Sequence, residues 1–215
     1  MNLKKQLLAE FLGTAGLLIV VVGSGIMGEN LSNGNTAIAL LANSMATGAG
    51  LYALIQTFGP ISGAHFNPAV SFVEWLWKKI NAETLLLYIC VQICGAIAGV
   101  LLTHVMFGQD VFQLSTHHRD TFGFIFSEII ATFGLIIVIA LSGKRNVETA
   151  PQAVALYITA AYWCTSSTSF ANPAVSIARS LTNTFSGIFW SGVPLFVIAQ
   201  IVGAILAFRI SKALF

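Results

Sequence analysis

Long apolar stretches follow one another along this chain and leave it few ways to fold. Six of them reach, or nearly reach, the ~20 residues that a membrane-spanning helix needs. They occupy residues 6–27, 36–57, 84–107, 122–142, 150–166 and 188–209, of which the fifth is the shortest. Only 8% of the residues are charged, whereas a soluble domain carries about 25%. The sequence therefore predicts an all-α membrane protein with six transmembrane helices.

The positively charged residues are distributed unevenly among the segments that connect these stretches. Of the ten Lys and Arg residues, eight fall in the termini and in alternate connections. These eight are Lys4, Lys5, Lys78, Lys79, Lys144, Arg145, Arg209 and Lys212. Only Arg119 and Arg179 fall on the other side. Because Lys and Arg concentrate in cytoplasmic connections, we expect a multi-pass protein of the cell membrane with both termini in the cytoplasm. The net charge of +2 is too small to indicate a nucleic-acid partner.

Two further segments are apolar but too short to span. Residues 67–77 (NPAVSFVEWLW) and 172–182 (NPAVSIARSLT) have 11 residues each. As helices they would reach about 16 Å, which is half of a hydrocarbon core about 30 Å thick. If they enter from opposite faces and meet tip to tip, they cross the membrane together. Since non-helical backbone at that depth is tolerated only around a cavity, the segments predict re-entrant half-helices beside a pore or a central site.

The two halves of the chain repeat one another. Three features recur at matched places: Glu10 and Glu128, the two NPAV boxes, and Gln92 and Gln200. Each half holds three spans, an odd number, so the second copy must be inverted across the membrane. No linker or low-complexity tract interrupts the sequence. We expect one membrane channel domain, residues 1–215, built from inverted repeats of about residues 1–112 and 113–215.

The motif Asn-Pro-Ala opens each of the two short segments. Its residues are Asn67, Pro68 and Ala69 in the first copy and Asn172, Pro173 and Ala174 in the second. A single copy would indicate only a helix start, because Asn caps helices and Pro suits their first position. Two copies at matched places of an inverted repeat indicate a shared site. Each half-helix N-terminus carries roughly +0.5 charge and repels cations, each asparagine offers N–H donors to a passing hydroxyl, and the small alanines let the tips approach.

These features together resemble the aquaporin family, also called the major intrinsic proteins. The resemblance rests on SGAHFNPAV at 62–70, the paired boxes, the repeated glutamate and the Gly- and Ala-rich third and sixth helices, and it covers the whole chain. It implies an aquaporin-like homotetramer with one passive pore per subunit, no enzymatic activity and no cofactor. It also implies that Glu10 and Glu128 brace the re-entrant loops. His65 matches a position that lines the cytoplasmic half of the pore, although packing alone would also explain a histidine there.

The selectivity filter is where this sequence departs from the family. Four residues form the outer constriction in the family, and the one directly after the second box is normally Arg. Counting from the boxes gives Thr47, Ala160, Ser169 and Val175. This small, uncharged ring resembles the Arg-less bacterial branch associated with arsenic resistance, in which Val replaces the filter Arg. The resemblance implies a channel for water, glycerol-like polyols and arsenous acid.

Several polar or reactive residues lie outside these motifs. Arg179 follows Val175 by one helical turn, and we favour a vestibule or interface role over that of a displaced filter Arg. His117 and His118, in the connection GQDVFQLSTHHRD, favour a solvated pair over a metal site or pH sensor. The three cysteines lie in apolar stretches without metal-ligand spacing, so we expect core residues and no metal site. They are Cys90, Cys94 and Cys164.

Other functions fit parts of this pattern. A water-selective aquaporin would share the whole architecture and differ only in its filter. A secondary transporter also uses inverted repeats and broken helices, but it binds a coupling ion through charges inside the membrane. The only acidic residues well inside the spans are Glu10 and Glu128, which the resemblance assigns to bracing. A membrane-embedded enzyme is disfavoured, because no nucleophile–base or metal constellation converges on the two boxes.

Overall fold

The computed structural model describes residues 2–145 and 149–214, with residues 144 and 145 described by their backbone alone. Within these ranges the chain forms eight α-helices and no strand. The helices are α1 (Leu3–Leu31), α2 (Thr36–Ser62), α3 (Pro68–Leu76), α4 (Ala82–Met106), α5 (Phe122–Arg145), α6 (Ala150–Cys164), α7 (Pro173–Ala178) and α8 (Val193–Ala213). Two 3-10 turns, Arg179–Leu181 and Trp190–Gly192, extend α7 and precede α8.

The six predicted spans and the two predicted half-helices are all present, which confirms the fold class. Five helices, α1, α2, α4, α5 and α8, are long and apolar enough to cross a membrane. Helix α6 has 15 residues and reaches only about 22 Å, so it is the shortest span, as its sequence indicates. The half-helices are α3, with 9 residues, and α7, with 6 residues followed by its 3-10 turn.

Two helix ends differ from their predicted positions for local reasons. Helix α2 continues past Pro60 as far as Ser62, and it stops where Gly63 adopts a left-handed conformation with a φ of 88°. Glycine takes this conformation at a helix C-terminus without steric cost. The last span begins at Val193 rather than at residue 188, because a 3-10 turn precedes it and Pro194 occupies its first turn, where proline is favoured.

The helix contacts of the first half of the fold recur in the second half. Helix α1 packs against α2 and α4, and α5 packs in the same way against α6 and α8. The two halves meet through α2 and α6. The half-helices α3 and α7 contact each other, and each also contacts both α4 and α8. The long helices therefore form a frame that holds the two short ones at the centre.

Glycines set the distance between the first and the last span of each half. A Cβ atom at Gly95 of α4 would collide with the carbonyl oxygen of Phe11 in α1. A Cβ atom at Gly203 of α8 would collide with the carbonyl oxygen of Ile129 in α5. Small residues at such crossings let two membrane helices approach until their backbones touch. The same device thus fixes the α1–α4 and α5–α8 contacts.

The prediction that the cysteines are core residues is wrong. Cys90, Cys94 and Cys164 are all exposed on the surface of the subunit. An apolar environment in the sequence indicates burial only when water surrounds the fold. The outer faces of membrane helices are as apolar as their inner faces, so the sequence alone does not separate the two.

We expect Gly95→Ala and Gly203→Ala to destabilise the fold by about 1–3 kcal/mol each, the usual cost of inserting a methyl group into a filled contact. Gly59→Ala is the matched control. A Cβ atom there meets nothing within 4 Å, and alanine is the better helix former by about 1 kcal/mol. The measurement is the temperature at which half of the detergent-purified protein stays monodisperse. If Gly95→Ala and Gly59→Ala gave the same temperature, the close contact would not limit stability.

Candidate functional site

The two loops that lead into the half-helices share one backbone conformation. Three residues before each box lie in the left-handed region, with φ between 47° and 88°. They are Gly63, Ala64 and Phe66 before α3, and Thr168, Ser169 and Ala171 before α7. All but one of them carry a Cβ, so this backbone costs energy and needs support from the surrounding structure.

The carboxylate of Glu10 gives that support to the first loop. Glu10 lies in α1 and is fully buried. Its Oε1 accepts hydrogen bonds from the His65 backbone N–H at 2.9 Å and from the Ser62 hydroxyl at 2.6 Å. Its Oε2 accepts from the Phe66 backbone N–H at 2.7 Å and from the Gln92 amide at 2.8 Å. Four donors from three segments therefore converge on one carboxylate.

Glu128 makes the same set of bonds in the second half. Its Oε1 accepts from the Phe170 N–H at 2.9 Å and from the Ser167 hydroxyl at 2.6 Å. Its Oε2 accepts from the Ala171 N–H at 2.8 Å and from the Gln200 amide at 2.6 Å. The three donors from the loop keep the same offset along the chain in the two halves, and the two glutamines are the fourth matched pair. This geometry is what a bracing role for the two glutamates requires.

The tips of the half-helices are joined by a pair of crossed hydrogen bonds. The Asn67 amide donates to the Ala171 carbonyl at 2.8 Å, and the Asn172 amide donates to the Phe66 carbonyl at 2.8 Å. Each asparagine Oδ1 caps its own helix by accepting from the backbone N–H two residues further on, in Ala69 or Ala174. One N–H of each side-chain amide is left for the space between the tips.

The remaining residues of the two boxes suit this close meeting. Pro68 and Pro173 occupy the first helical positions, where a missing N–H leaves no hydrogen bond unmade. Ala69 and Ala174 are fully buried, so a larger side chain at either position would have to displace its neighbours.

One cavity of about 840 Å³ passes the tips of both half-helices, and we call it the central cavity. Asn67 and Asn172 line it where the tips meet. Its wall includes Arg179, beyond the end of α7, and Lys79, beyond the end of α3. Because α3 and α7 point in opposite directions, these two residues mark its two ends. Most of the wall between them is apolar, with residues such as Leu51 along it.

Three of the four predicted filter residues line the central cavity together. Thr47, Ser169 and Val175 are all buried and face it. Ala160 is not among them, and this part of the prediction is wrong: Ala160 is exposed on the outer surface of α6. Tyr162 lines the cavity instead, and its hydroxyl lies 3.2 Å from the Thr47 Oγ1.

The error at Ala160 comes from counting back along a connection whose length varies. A helix turns about 100° per residue, so a shift of two residues exchanges the inner and outer faces of α6. The helical pattern would have identified the right residue, because Val154, Ile158 and Tyr162 recur every fourth position and all line the cavity. The Ser169 hydroxyl oxygen is buried without a hydrogen-bond partner among the described residues.

His65 both packs and faces the cavity, so the two explanations of this residue are compatible. Its ring lies edge-on to Tyr88, with centroids 5.2 Å apart. Its Nδ1 is 3.0 Å from the Ser71 hydroxyl, which also accepts from the Gln92 amide. The ring lines the central cavity on the side of α3.

Arg179 lies in the wall of the cavity and not in an exposed vestibule. It is only 2% exposed. Its guanidinium carbon is 3.4 Å from the centre of the Phe170 ring, and its Nε donates to the Ser186 carbonyl. Sequence reasoning missed Arg119. Its guanidinium carbon lies 5.4 Å from the centre of the same ring, and its Nε donates to the Gly187 carbonyl at 3.0 Å.

The two histidines of the connection between α4 and α5 are exposed, as a solvated pair would be. His118 Nδ1 lies 3.6 Å from an Asp120 carboxylate oxygen, and its ring packs on Phe189 with centroids 4.5 Å apart. Across the part of the chain that the structure describes, no three His, Cys, Asp or Glu side chains cluster as metal ligands.

Residues 1–162 of the sequence match the family described as major intrinsic protein. The chain belongs to this family. Aquaglyceroporin AqpS of Rhizobium meliloti (strain 1021) is 47% identical over 211 residues, which cover 98% of this chain and 90% of that protein. Aquaporin AqpM of Methanothermobacter marburgensis is 30% identical, and the match covers 96% of this chain and 95% of that protein.

The fold also agrees with a solved structure of the major intrinsic protein family. An X-ray structure of the aquaglyceroporin from Plasmodium falciparum superimposes with a TM-score of 0.74 over 97% of this chain and 95% of that one. At 20% identity this likeness shows the fold alone. Family and fold together make this chain a multi-span membrane channel for water and small solutes.

We expect Glu10→Gln and Glu128→Gln to destabilise the fold and to reduce water flux. The new NH2 group would face N–H donors, and each donor left without an acceptor costs about 1–3 kcal/mol. Glu29→Gln is the control, since Glu29 is exposed near the end of α1, where a substitution should change stability by less than about 0.5 kcal/mol. Thermal stability in detergent and stopped-flow water flux in liposomes are the measurements. Wild-type values for both buried variants would show that the loops do not depend on these carboxylates.

Proposed function

We propose that this protein is a passive channel for small uncharged solutes, which passes glycerol-like polyols and arsenous acid as well as water and catalyses no reaction. The observation that carries the proposal is the neutral ring of Thr47, Tyr162, Ser169 and Val175 in the central cavity. Val175 stands where the family normally has an arginine. The ring offers hydroxyl groups to a passing solute, and none of its four residues carries a charge.

The chemistry of the ring favours solutes that carry several hydroxyls. The hydroxyls of Thr47, Tyr162 and Ser169 can each donate or accept a hydrogen bond, whereas Val175 contributes only an apolar surface. Arsenous acid is an uncharged trihydroxy molecule at neutral pH and resembles glycerol in its hydroxyl pattern. Passage through such a ring depends on size more than on a fixed orientation of the solute.

The meeting of the half-helices supplies the barrier to cations. Both N-termini point at the centre, and each carries roughly +0.5 charge from its helix dipole. The free N–H groups of Asn67 and Asn172 donate to a water or hydroxyl oxygen at the same point. A water whose oxygen accepts from both amides can still donate to its neighbours but can no longer accept from them, so proton transfer along the file is interrupted there.

The relatives and the buried charges both favour a channel over the alternatives. A relative named aquaglyceroporin shares nearly half of its residues with this chain, which supports polyol passage over strict water selectivity. A secondary transporter needs an intramembrane charge that is free to bind a coupling ion. Glu10 and Glu128 already accept four hydrogen bonds each and do not line the central cavity.

We also propose that residues 1–215 form one domain of two inverted repeats, about 1–112 and 113–215, and that four copies assemble around a central axis with their termini in the cytoplasm. The exposed apolar side chains on the outer helices, such as Leu86 and Leu156, suit contact with lipid and with neighbouring subunits. The orientation rests on the distribution of Lys and Arg. Two of those residues, Lys144 and Arg145, have side chains outside the described part.

We expect Val175→Arg and Thr47→Phe to lower glycerol and arsenous acid flux about tenfold or more while water flux stays close to wild type. A rise of about 1.4 kcal/mol in the barrier is enough for a factor of ten, and either substitution narrows the ring. Stopped-flow light scattering of proteoliposomes gives water and glycerol flux, and elemental analysis of the vesicles gives arsenic uptake.

Ala160→Phe is the matched control for this ring. Because Ala160 is exposed on the outer surface of α6, the added bulk should leave all three fluxes unchanged. The proposal fails if the wild type passes neither glycerol nor arsenous acid, or if both ring variants pass them at the wild-type rate. If only Ala160→Phe lowered these fluxes strongly, Ala160 would belong to the filter, as counting from the boxes predicts.

We expect Asn67→Asp and Asn172→Asp to weaken the exclusion of cations. A carboxylate at either tip offsets the positive helix ends, so sodium leak through the variants should exceed that of the wild type. Asn81→Asp serves as control, because Asn81 caps α4 at an exposed position and Asp caps equally well. Sodium flux into proteoliposomes is the measurement. If a double Asp variant admitted no more sodium than the wild type does, the helix dipoles would not be the barrier to cations.

A further inference from the structure

Two arginines contact Phe170, which lines the central cavity, and neither forms an ion pair among the described residues. The guanidinium carbons of Arg179 and Arg119 lie 3.4 Å and 5.4 Å from the centre of the same Phe170 ring. Their separation cannot exceed the sum of these distances, which is below the Debye length of about 10 Å at 0.1 M salt. Among the described residues, the ion pairs are Lys79 with Glu74 and His118 with Asp120.

Arg179 has donors that no protein group uses. Its Nε donates to the Ser186 carbonyl, and the Phe170 ring covers its face. Its two terminal nitrogens have no acceptor among the described residues, although the side chain is 98% buried, being 2% exposed. Arg179 lines the central cavity, so the cavity is the space that these donors face.

A second buried group on the same wall also lacks a partner. The Ser169 hydroxyl is without a hydrogen bond in the described structure, and Ser169 is 3% exposed and lines the cavity. The buried carboxylate of this half, Glu128, already accepts four hydrogen bonds from the loop and from Gln200. This end of the cavity therefore holds two positive charges without an ion pair, and the terminal nitrogens of Arg179 and the Ser169 hydroxyl have no acceptor among the described residues.

We propose that Arg179 and Ser169, with the charge of Arg119 on the same Phe170 ring, form an anion-binding site at the α7 end of the cavity. A buried charge without a partner is costly, and a small carboxylate or oxoanion removes that cost. The two terminal nitrogens of a guanidinium match the two oxygens of such an anion. The occupied site narrows the path one helical turn beyond Val175, so bound anion obstructs neutral solutes. The obstruction of neutral solutes rests on the proposed function, whereas the binding of the anion does not.

Methanesulfonate is a suitable probe, because it is a small oxoanion of a strong acid and does not cross the bilayer in a neutral form. Gluconate at the same ionic strength is the reference, since its bulk keeps it out of the cavity. Glycerol flux is measured in proteoliposomes with methanesulfonate on both faces. We expect saturable inhibition in the wild type and an apparent inhibition constant about tenfold higher or more in Arg179→Gln, as the loss of a charge-assisted hydrogen bond predicts. Arg119→Gln should weaken inhibition less.

Direct binding separates this site from the channel function. Methanesulfonate should raise the unfolding temperature of the detergent-purified wild type relative to gluconate, and Arg179→Gln should lose that shift. Arg179→Lys, which keeps the charge, should retain part of it. Arg209→Gln is the matched control, because Arg209 is exposed near the far end of α8, and it should behave as the wild type. An unfolding temperature that is the same in both salts, or an equal shift in Arg179→Gln, overturns the site even if glycerol passes. If the unfolding temperature rises in methanesulfonate but the wild type passes no glycerol, the anion site is supported and the proposed polyol channel is wrong.

Discussion

The arrangement at the centre of this channel depends on a buried carboxylate that holds a strained loop. The backbone of Phe66 takes part in both halves of this arrangement. Its N–H donates to Glu10 and its carbonyl accepts from Asn172, so the same residue joins the brace of one half to the tip of the other. Ala171 does the same with Glu128 and Asn67. Without the carboxylates, the N–H groups of the left-handed loops would lose their acceptors. The carbonyls of Phe66 and Ala171, which join the two tips, would then no longer be held in position.

This arrangement concentrates positive potential along the path of the solute. Two helix N-termini meet at the asparagines, and two guanidinium groups lie near the end of α7. Glu10 and Glu128 do not line the cavity, and Glu74, which does, is paired with Lys79. A neutral solute with hydroxyl groups finds donors at both levels. A cation meets the positive ends of the two half-helices instead. In the function proposed above, selectivity against cations rests on the helix N-termini and the arginines, and the ring around Val175 selects by size.

The sequence allows the prediction of features that depend on repetition and spacing. The two boxes, the paired glutamates and the half-length helices follow from the inverted repeat, and the structure has the helices where the repeat requires them. Ala160 was assigned wrongly because counting residues assumes a fixed loop length, whereas the helical period points to Tyr162. The burial of Arg179 could not be predicted from the sequence, because only the fold brings its neighbours Phe170 and Ser186 together. The cysteines show that apolar sequence in a membrane does not distinguish inside from outside.

The crossed bonds between the tips also constrain how the chain is made. The partners of each bond are separated by 104 and 106 residues. Since ribosomes add about 5–20 residues per second, the first tip waits roughly 5–20 seconds after synthesis before its partner exists. During that interval the Phe66 carbonyl and the Asn67 amide have no second tip to bind. The first half must therefore remain hydrated at this point, or be shielded by the insertion machinery, until the second half arrives to close it.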